Sequence, residues 1–115
     1  MKLIIDRSRW LRGESESYLF RPRDNKMCCL GFYGKACGLS EEQMSHQAFP
    51  SEVEGYMTKA PWLAKGADEL RSVSDFLMLA NDSKSLSESD REKKIADIFA
   101  QHGVEVEFID GGFPE

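Results

Sequence analysis

Two short apolar segments near the ends of the sequence predict β-strands. Leu3 to Ile5 form an uninterrupted apolar run closed by Asp6, which is typical of a strand covered on both faces. Between Val104 and Phe108, apolar residues alternate with glutamates, which predicts a strand with one buried and one solvated face. We expect these two strands to pair in one small sheet.

The segment after Lys26 predicts a buried helix. Its larger apolar residues recur at helical spacing, and Gly38 is placed to end the helix in a left-handed cap. The residues on this face are Cys29, Phe32, Tyr33, Ala36 and Cys37. Gly31 and Gly34 are poor helix formers, so their presence inside the helix predicts close packing against a neighbour.

Two more helices are predicted in the second half of the chain. The first carries its apolar stripe between residues 70 and 80 and would close at a turn made by Asn81, Asp82 and Ser83, with Asn81 left-handed. A strand at residues 76–80 is the alternative. The second begins at an N-cap on Ser87 and ends before Gly103. Its stripe consists of Ile95, Ile98, Phe99 and His102.

Shorter elements are predicted between these helices. Tyr18 to Phe20 favours a short strand ended by Pro22. Ser40 to Gln43 has the pattern of a capping box, which opens a short helix. Pro50 would start another short helix that runs to Met57, and residues 58–67 would form a loop anchored by an aromatic side chain.

These elements predict an α+β fold in a single domain of 115 residues, with terminal strands in one small sheet packed against several helices. The charged residues are unevenly distributed along the chain. Up to Lys26 there are seven Lys/Arg and four Asp/Glu, and beyond it there are eight Lys/Arg and sixteen Asp/Glu. We therefore describe a basic N-terminal head (residues 1–26), an acidic helical body (27–110) and a frayed tail (111–115).

The composition narrows the class of protein. A net charge of -5 weakens any case for general binding to duplex nucleic acid. No apolar stretch is long enough to cross a bilayer, and charge appears too early at Asp6 for a secretory signal, so we expect a cytoplasmic protein without membrane contact. Three cysteines, two of them adjacent, predict reduced thiols rather than a disulfide framework.

An ordered set of short motifs runs through the middle of the chain: Met27 to Gly31, Phe49 to Val53, Leu79 to Ser83 and Lys94 to Ile98. It resembles a loose group of small, largely uncharacterised bacteriophage and prophage proteins with a Cys-Cys-Leu-Gly motif and a later Asn-Asp turn. Many members carry a further cysteine where this chain has Gly34, so no shared cysteine chemistry is implied. The resemblance implies a phage origin and a shared structural centre, formed here by Cys28, Cys29, Leu30, Gly31, Asn81 and Asp82.

Cys28 and Cys29 are candidate nucleophiles, because a nearby cation such as Lys26 or a helix start favours the thiolate. Neighbours on a helix point about 100° apart, so only one could face a given site, and burial as packing residues is the favoured interpretation. The cysteine and histidine spacings do not match a zinc motif. We predict no metal, no cofactor and no catalytic residue, with His102 partly buried in the core.

Two surfaces are candidates for binding. Arg9 and Arg12, interleaved with Trp10, could hold phosphates and stack on bases. The favoured interpretation is that these arginines pair with the acidic body while Trp10 anchors a loop. The other surface is a docking patch for a basic protein, formed by Glu88, Glu92, Glu105 and Glu107.

The leading hypothesis is a noncatalytic phage or prophage accessory protein that binds a host or phage protein, as a monomer or homodimer, and modulates a host enzyme or defence system. One alternative is a small nucleic-acid or nucleotide-binding protein that uses the basic head. The other is a thiol-dependent enzyme centred on Cys28 or Cys29.

Overall fold

The two terminal strands lie side by side in a computed structural model that describes residues 1–14 and 17–112. Strand β1 (Lys2–Asp6) pairs in parallel with β2 (Glu105–Ile109), in a register that runs from Lys2 opposite Glu105 to Asp6 opposite Ile109. A parallel pair needs a long crossover connection, and here the whole helical part of the chain provides it. The fold is α+β, and both predicted terminal strands are confirmed.

Within the described part of the chain, five α-helices connect the strands. They are α1 (Cys29–Ala36), α2 (Glu41–Met44), α3 (Tyr56–Lys59), α4 (Val73–Asp82) and α5 (Glu88–Ala100). Short 3₁₀ helices supplement them, at Arg7–Arg9, Pro50–Glu52 and Pro61–Ala64. The sheet packs against α1 and α5, and α4 contacts both of these helices.

The predicted helix ends agree with the structure at several points. Ser40 and Gln43 form the reciprocal hydrogen bonds of a capping box at the start of α2. The Ser87 hydroxyl accepts a hydrogen bond from the backbone N–H of Asp90 at 3.1 Å, which caps α5. Gly38 follows α1 with the positive φ angle predicted for its left-handed cap, and Gly103, which was expected to follow α5, also has a positive φ angle.

Helix α1 is surrounded by other parts of the chain. Every residue from Cys29 to Gly34 is buried, so this part of the helix has no solvent-exposed face. A Cβ atom on Gly31 would lie 1.9 Å from the carbonyl oxygen of Leu19, and one on Gly34 would lie 2.7 Å from the sulfur of Met44. The prediction of close packing at both glycines is therefore confirmed.

Two short predicted elements are wrong. Residues 18–20 form no strand, because Phe20 makes only an isolated bridge to Ser45. The helix expected from Pro50 to Met57 is interrupted by Gly55, which has a φ of 84° and separates a 3₁₀ turn from α3. The predicted loop at 58–67 also holds the end of α3 and the last 3₁₀ helix.

Helix α4 differs from the prediction at both ends. It starts at Val73 rather than Leu70, because Ser72 and Asp75 form a capping box there, and Leu70 is 91% exposed. It continues through Asn81 and Asp82, so the predicted turn at these residues and the left-handed Asn81 are wrong. The alternative of a strand at 76–80 is wrong as well.

The N-terminal segment is part of the same core as the helical body. β1 supplies half of the sheet, and Trp10 and Leu19 belong to the same buried cluster as residues of α1, α4 and α5. At the other end, the backbone N–H of Gly111 donates to Asp6 Oδ1 at 2.8 Å. Residues 113–115 of the predicted frayed tail lie outside the described residues.

Candidate functional site

The side chain of Asn81 is the centre of a buried hydrogen-bond network. Its Oδ1 accepts from the indole Nε1 of Trp10 at 2.8 Å and from the backbone N–H of Cys29 at 3.0 Å. Its Nδ2 donates to the carbonyl oxygen of Leu11 and to Asp82 Oδ1, both at 2.9 Å. Asn81 is 1% exposed, so all of its amide capacity is used inside the protein. This side chain joins the N-terminal segment, α1 and α4.

Arg91 reinforces the same region from α5. Its guanidinium is buried and donates to the carbonyl oxygens of Ala80, Asn81, Ser83 and Leu86 at 2.6–3.2 Å. These carbonyls lie at the C-terminal end of α4 and in the turn that follows, where backbone acceptors lack intrahelical partners. Arg91 therefore fixes the connection between α4 and α5.

The adjacent thiols are packed inside the protein. Cys28 is 3% exposed and Cys29 is fully buried, as the packing interpretation predicted. Burial raises the pKa of the Cys28 thiol to about 12 and raises the pKa of Cys29 well above its ordinary value. Both thiols are therefore protonated near neutral pH and closed to solvent, which is opposite to what a cysteine nucleophile requires.

The arginines of the N-terminal segment face carboxylates. Arg9 Nη2 lies 3.1 Å from Glu41 Oε2, and Arg12 Nε lies 2.6 Å from Glu88 Oε2. The Arg12 guanidinium also covers the ring of Trp10 at 4.6 Å. Trp10 is 1% exposed, so its ring is not accessible as a platform for bases. The structure agrees with the alternative in which the arginines pair with the body and Trp10 is an anchor.

The four glutamates of the predicted acidic patch are largely engaged within the protein. Glu92 accepts two hydrogen bonds from Arg7, at 2.7 and 2.8 Å. Glu107 pairs with Lys2 at 2.5 Å, and the nearby Glu105 also raises the pKa of that lysine. Burial opposes ionisation of Glu88, but the hydrogen bonds and positive charges of Arg12 and Arg91 together outweigh it and lower the pKa of this carboxyl. The patch is therefore much less negative than the sequence alone indicates.

A groove beside α4 and α5 exposes large apolar side chains. We call it the α4–α5 groove; its volume is about 1330 Å³. Phe49 and Leu79 in its lining are 47% and 51% exposed, which is unusual for large apolar side chains in this chain. The other apolar side chains that line it are Ala67, Val73, Phe76, Met78, Ala80, Leu86 and Ile98.

No sequence pattern predicted this groove. Phe76 and Ile98 lie on the predicted apolar stripes of their helices, but both are only partly buried. Other members of the predicted α4 stripe, Val73, Leu77 and Ala80, are buried as expected. The available signal was the pair Met78 and Leu79, two apolar residues outside the predicted stripe.

One end of the groove is bordered by an aromatic cluster. His102 stacks on Trp62 with ring centroids 4.6 Å apart, and Trp62 Nε1 donates to the hydroxyl of Tyr33 at 3.0 Å. Phe99 contacts both Tyr33 and Trp62 from the core side. Of this cluster, His102 lines the groove, and it is partly buried as predicted.

Residues 1–14 and 17–112 contain no group of three or more His, Cys, Asp or Glu side chains placed to hold a metal ion. No helix in the same part of the chain has the length and hydropathy to cross a membrane. No protein-family model matches the sequence, and comparisons with curated proteins and with solved structures found no significant match.

Proposed function

We propose that this protein is a noncatalytic accessory protein that acts by binding another protein, and that the α4–α5 groove is its binding surface. The observation that carries the proposal is the partial exposure of Phe49 and Leu79 beside Phe76 and Ile98. Contiguous exposed apolar surface is costly in water and commonly marks an interaction site. A groove between two helices is also a common receptor for a partner's helix.

The other candidate surfaces support the proposal by contrast. The acidic residues Glu88, Glu92 and Glu107 are paired with cations of the same chain, so a basic partner would have to replace existing ion pairs. Arg9 and Arg12 are engaged in the same way, which leaves the nucleic-acid hypothesis with less support. The buried, protonated thiols of Cys28 and Cys29 give a thiol enzyme the least support.

The proposed origin is a bacteriophage or prophage, and the proposed partner is a host or phage protein in the cytoplasm of the host cell. This part rests on the resemblance carried by Cys28 to Gly31 and by Asn81 and Asp82. Modulation of a host enzyme or defence system is the biological role that such an accessory protein would have.

The test is affinity capture from host lysate with three forms of the immobilised full chain. Leu79→Glu places a charge in the groove at a half-exposed position, so the fold tolerates it. A Glu105→Lys/Glu107→Lys variant changes the acidic face instead. We expect one host or phage protein to be retained by wild type and by the acidic-face variant, and to be lost with Leu79→Glu. Loss with the acidic-face variant alone, or no specific retention by wild type, would contradict the proposal.

A further inference from the structure

Three cationic side chains line the α4–α5 groove. Lys65, Arg71 and Lys94 line the groove, and within residues 1–14 and 17–112 none of their side chains forms an ion pair. In the N-terminal segment, by contrast, Arg7 and Arg12 each bind carboxylates of the same chain. The groove lining therefore carries three positive side chains that have no direct ion pair among the described residues.

The carboxylates in the groove lining do not balance this charge by direct pairing. Asp75 accepts a hydrogen bond from the backbone N–H of Ser72 in the capping box of α4, at 2.9 Å. Asp82 accepts from Asn81 Nδ2, and burial raises the pKa of its carboxyl. Both carboxyl groups are held by hydrogen bonds within the fold and neither pairs with a cation of the lining, so the exposed side chains of Lys65, Arg71 and Lys94 are accessible to a ligand.

The shape of the groove favours a helical ligand. Lys94, Ile98 and Gln101 follow one another at the i, i+4, i+7 spacing and form one ridge along α5. On α4, Phe76 and Leu79 are three residues apart and provide the facing apolar ridge. Ridges of this kind accept the side chains of a third helix, with apolar residues at the floor and polar residues at the rim.

We propose that the α4–α5 groove binds an amphipathic helix of a partner protein whose apolar face is flanked by Asp and Glu residues. The apolar side chains of the partner helix would cover Phe76, Leu79 and Ile98. Its acidic flanks would contact Lys65, Arg71 and Lys94. The net charge of -5 does not prevent this, because charges more than about 8 Å apart are largely screened at physiological salt. The inference rests on the proposed function and specifies the chemistry of the partner.

The test uses a display library of helical peptides as the probe. Each peptide keeps a fixed leucine face at the i, i+3, i+4, i+7 positions and carries either Glu or Lys at every flanking position. The library is selected against the full-length protein, and groove-dependent binders are those lost with Leu79→Glu. We expect Glu to be enriched among them, and an all-Glu flank to bind about tenfold or more tighter than an all-Lys flank.

Two variants with the same change in net charge sharpen the test. Arg71→Glu/Lys94→Glu, in the groove, should reverse the enrichment towards Lys. Lys26→Glu/Lys59→Glu, outside the groove, should leave the preference for Glu unchanged. Because Lys59, Arg71 and Lys94 are exposed and Lys26 is partly exposed, circular dichroism should give native spectra for both variants.

Several outcomes would overturn the inference: enrichment of Lys, equal binding of both flanks, the absence of groove-dependent binders, or sedimentation showing that the groove is covered by a second copy of the chain. The lysate capture separates these failures from failure of the proposed function. A captured partner that needs Leu79 but binds through a basic segment would refute only the acidic chemistry.

Discussion

The side-chain oxygen of Asn81 accepts a hydrogen bond from the indole nitrogen of Trp10 at 2.8 Å, across 71 residues of sequence. Trp10 follows β1, and Asn81 lies in the last turn of α4, so this bond ties the N-terminal segment to the helices that form the groove. The same oxygen holds the first residue of α1. The position of α4, and with it the groove, depends on this buried amide.

Replacement of Asn81 by Ala should therefore destabilise the protein strongly. The substitution leaves the Trp10 indole N–H, the Cys29 backbone N–H and the Leu11 carbonyl oxygen buried without partners, at about 1–3 kcal/mol each. We expect the free energy of unfolding in urea to fall by about 3 kcal/mol or more. Lys84→Ala, an exposed position just after α4, is the control and should change it by about 0.5 kcal/mol or less. A similar value for the two variants would contradict the role of Asn81.

Gly31→Ala tests the packing of α1. The added Cβ would lie 1.9 Å from the Leu19 carbonyl oxygen and 2.9 Å from Met27 Cβ, so the backbone itself must move. We expect a loss of about 3 kcal/mol in thermal or urea unfolding. Gly66→Ala meets its nearest atom at 3.5 Å and should have an effect within about 0.5 kcal/mol. An unfolding midpoint for Gly31→Ala close to wild type would show that α1 is less tightly held.

Iodoacetamide should distinguish the three cysteines. In the folded protein we expect alkylation at the partly exposed Cys37 and protection of Cys28 and Cys29, because burial excludes the reagent and raises the pKa of both thiols. Peptide mass spectrometry should find all three modified after denaturation. Rapid labelling of Cys28 or Cys29 in the native state at pH 7 would reopen the hypothesis of a thiol enzyme.

Asp82 should make stability fall as the pH rises. Burial raises the pKa of its carboxyl in the folded chain, so the folded state binds this proton more tightly than the unfolded state. The resulting stabilisation is full below the unfolded pKa of about 3.9 and is lost as pH rises through the folded pKa. Asp82→Asn, which keeps an acceptor oxygen, should be more stable than wild type at pH 7, by less than about 1 kcal/mol because the side chain is partly exposed. The two proteins should converge near pH 3.

Glu41→Gln is the control, because Glu41 should change the stability with pH in the direction opposite to Asp82. Hydrogen bonds from Lys35 and Arg9 lower the pKa of Glu41, so its stabilisation is present above the unfolded pKa and is lost as pH falls through the folded pKa. This variant should be less stable than wild type at pH 7, by about 0.2–1 kcal/mol, and the difference should shrink in acid. Urea titrations at several pH values measure both variants, and an unchanged difference across that range would contradict the assigned pKa directions.

The sequence correctly predicted those elements whose apolar pattern, caps or glycines match their burial and their ends in the structure. The apolar runs gave both strands, and the Ser87 cap with Gly103 bounded α5. The glycines of α1 indicated close packing, which Gly31 shows directly against Leu19. In each case the feature depends on residues near one another in sequence, or on burial that periodicity reports.

The remaining features depend on contacts that no local pattern encodes. Asn81 has the chemistry of a turn residue, but its bonds to Trp10 and Cys29 keep it in the helix. The exposure of Phe76 and Leu79 depends on which side of α4 meets α1 and α5. The arginines and glutamates suggested separate charged surfaces, yet the fold brings Arg7 to Glu92 and Arg12 to Glu88. Tertiary contacts therefore decided where the candidate site lies.

Site-specific photocrosslinking in host cells tests the central claim most directly. A benzoylphenylalanine is placed at position 79, in the groove, or at position 105, on the acidic face, and adducts are identified by mass spectrometry. We predict a defined protein adduct from position 79, absent from position 105, and abolished when Phe76→Glu is added. An adduct from position 105 alone, or no adduct from position 79, would contradict the assignment of the α4–α5 groove as the binding surface.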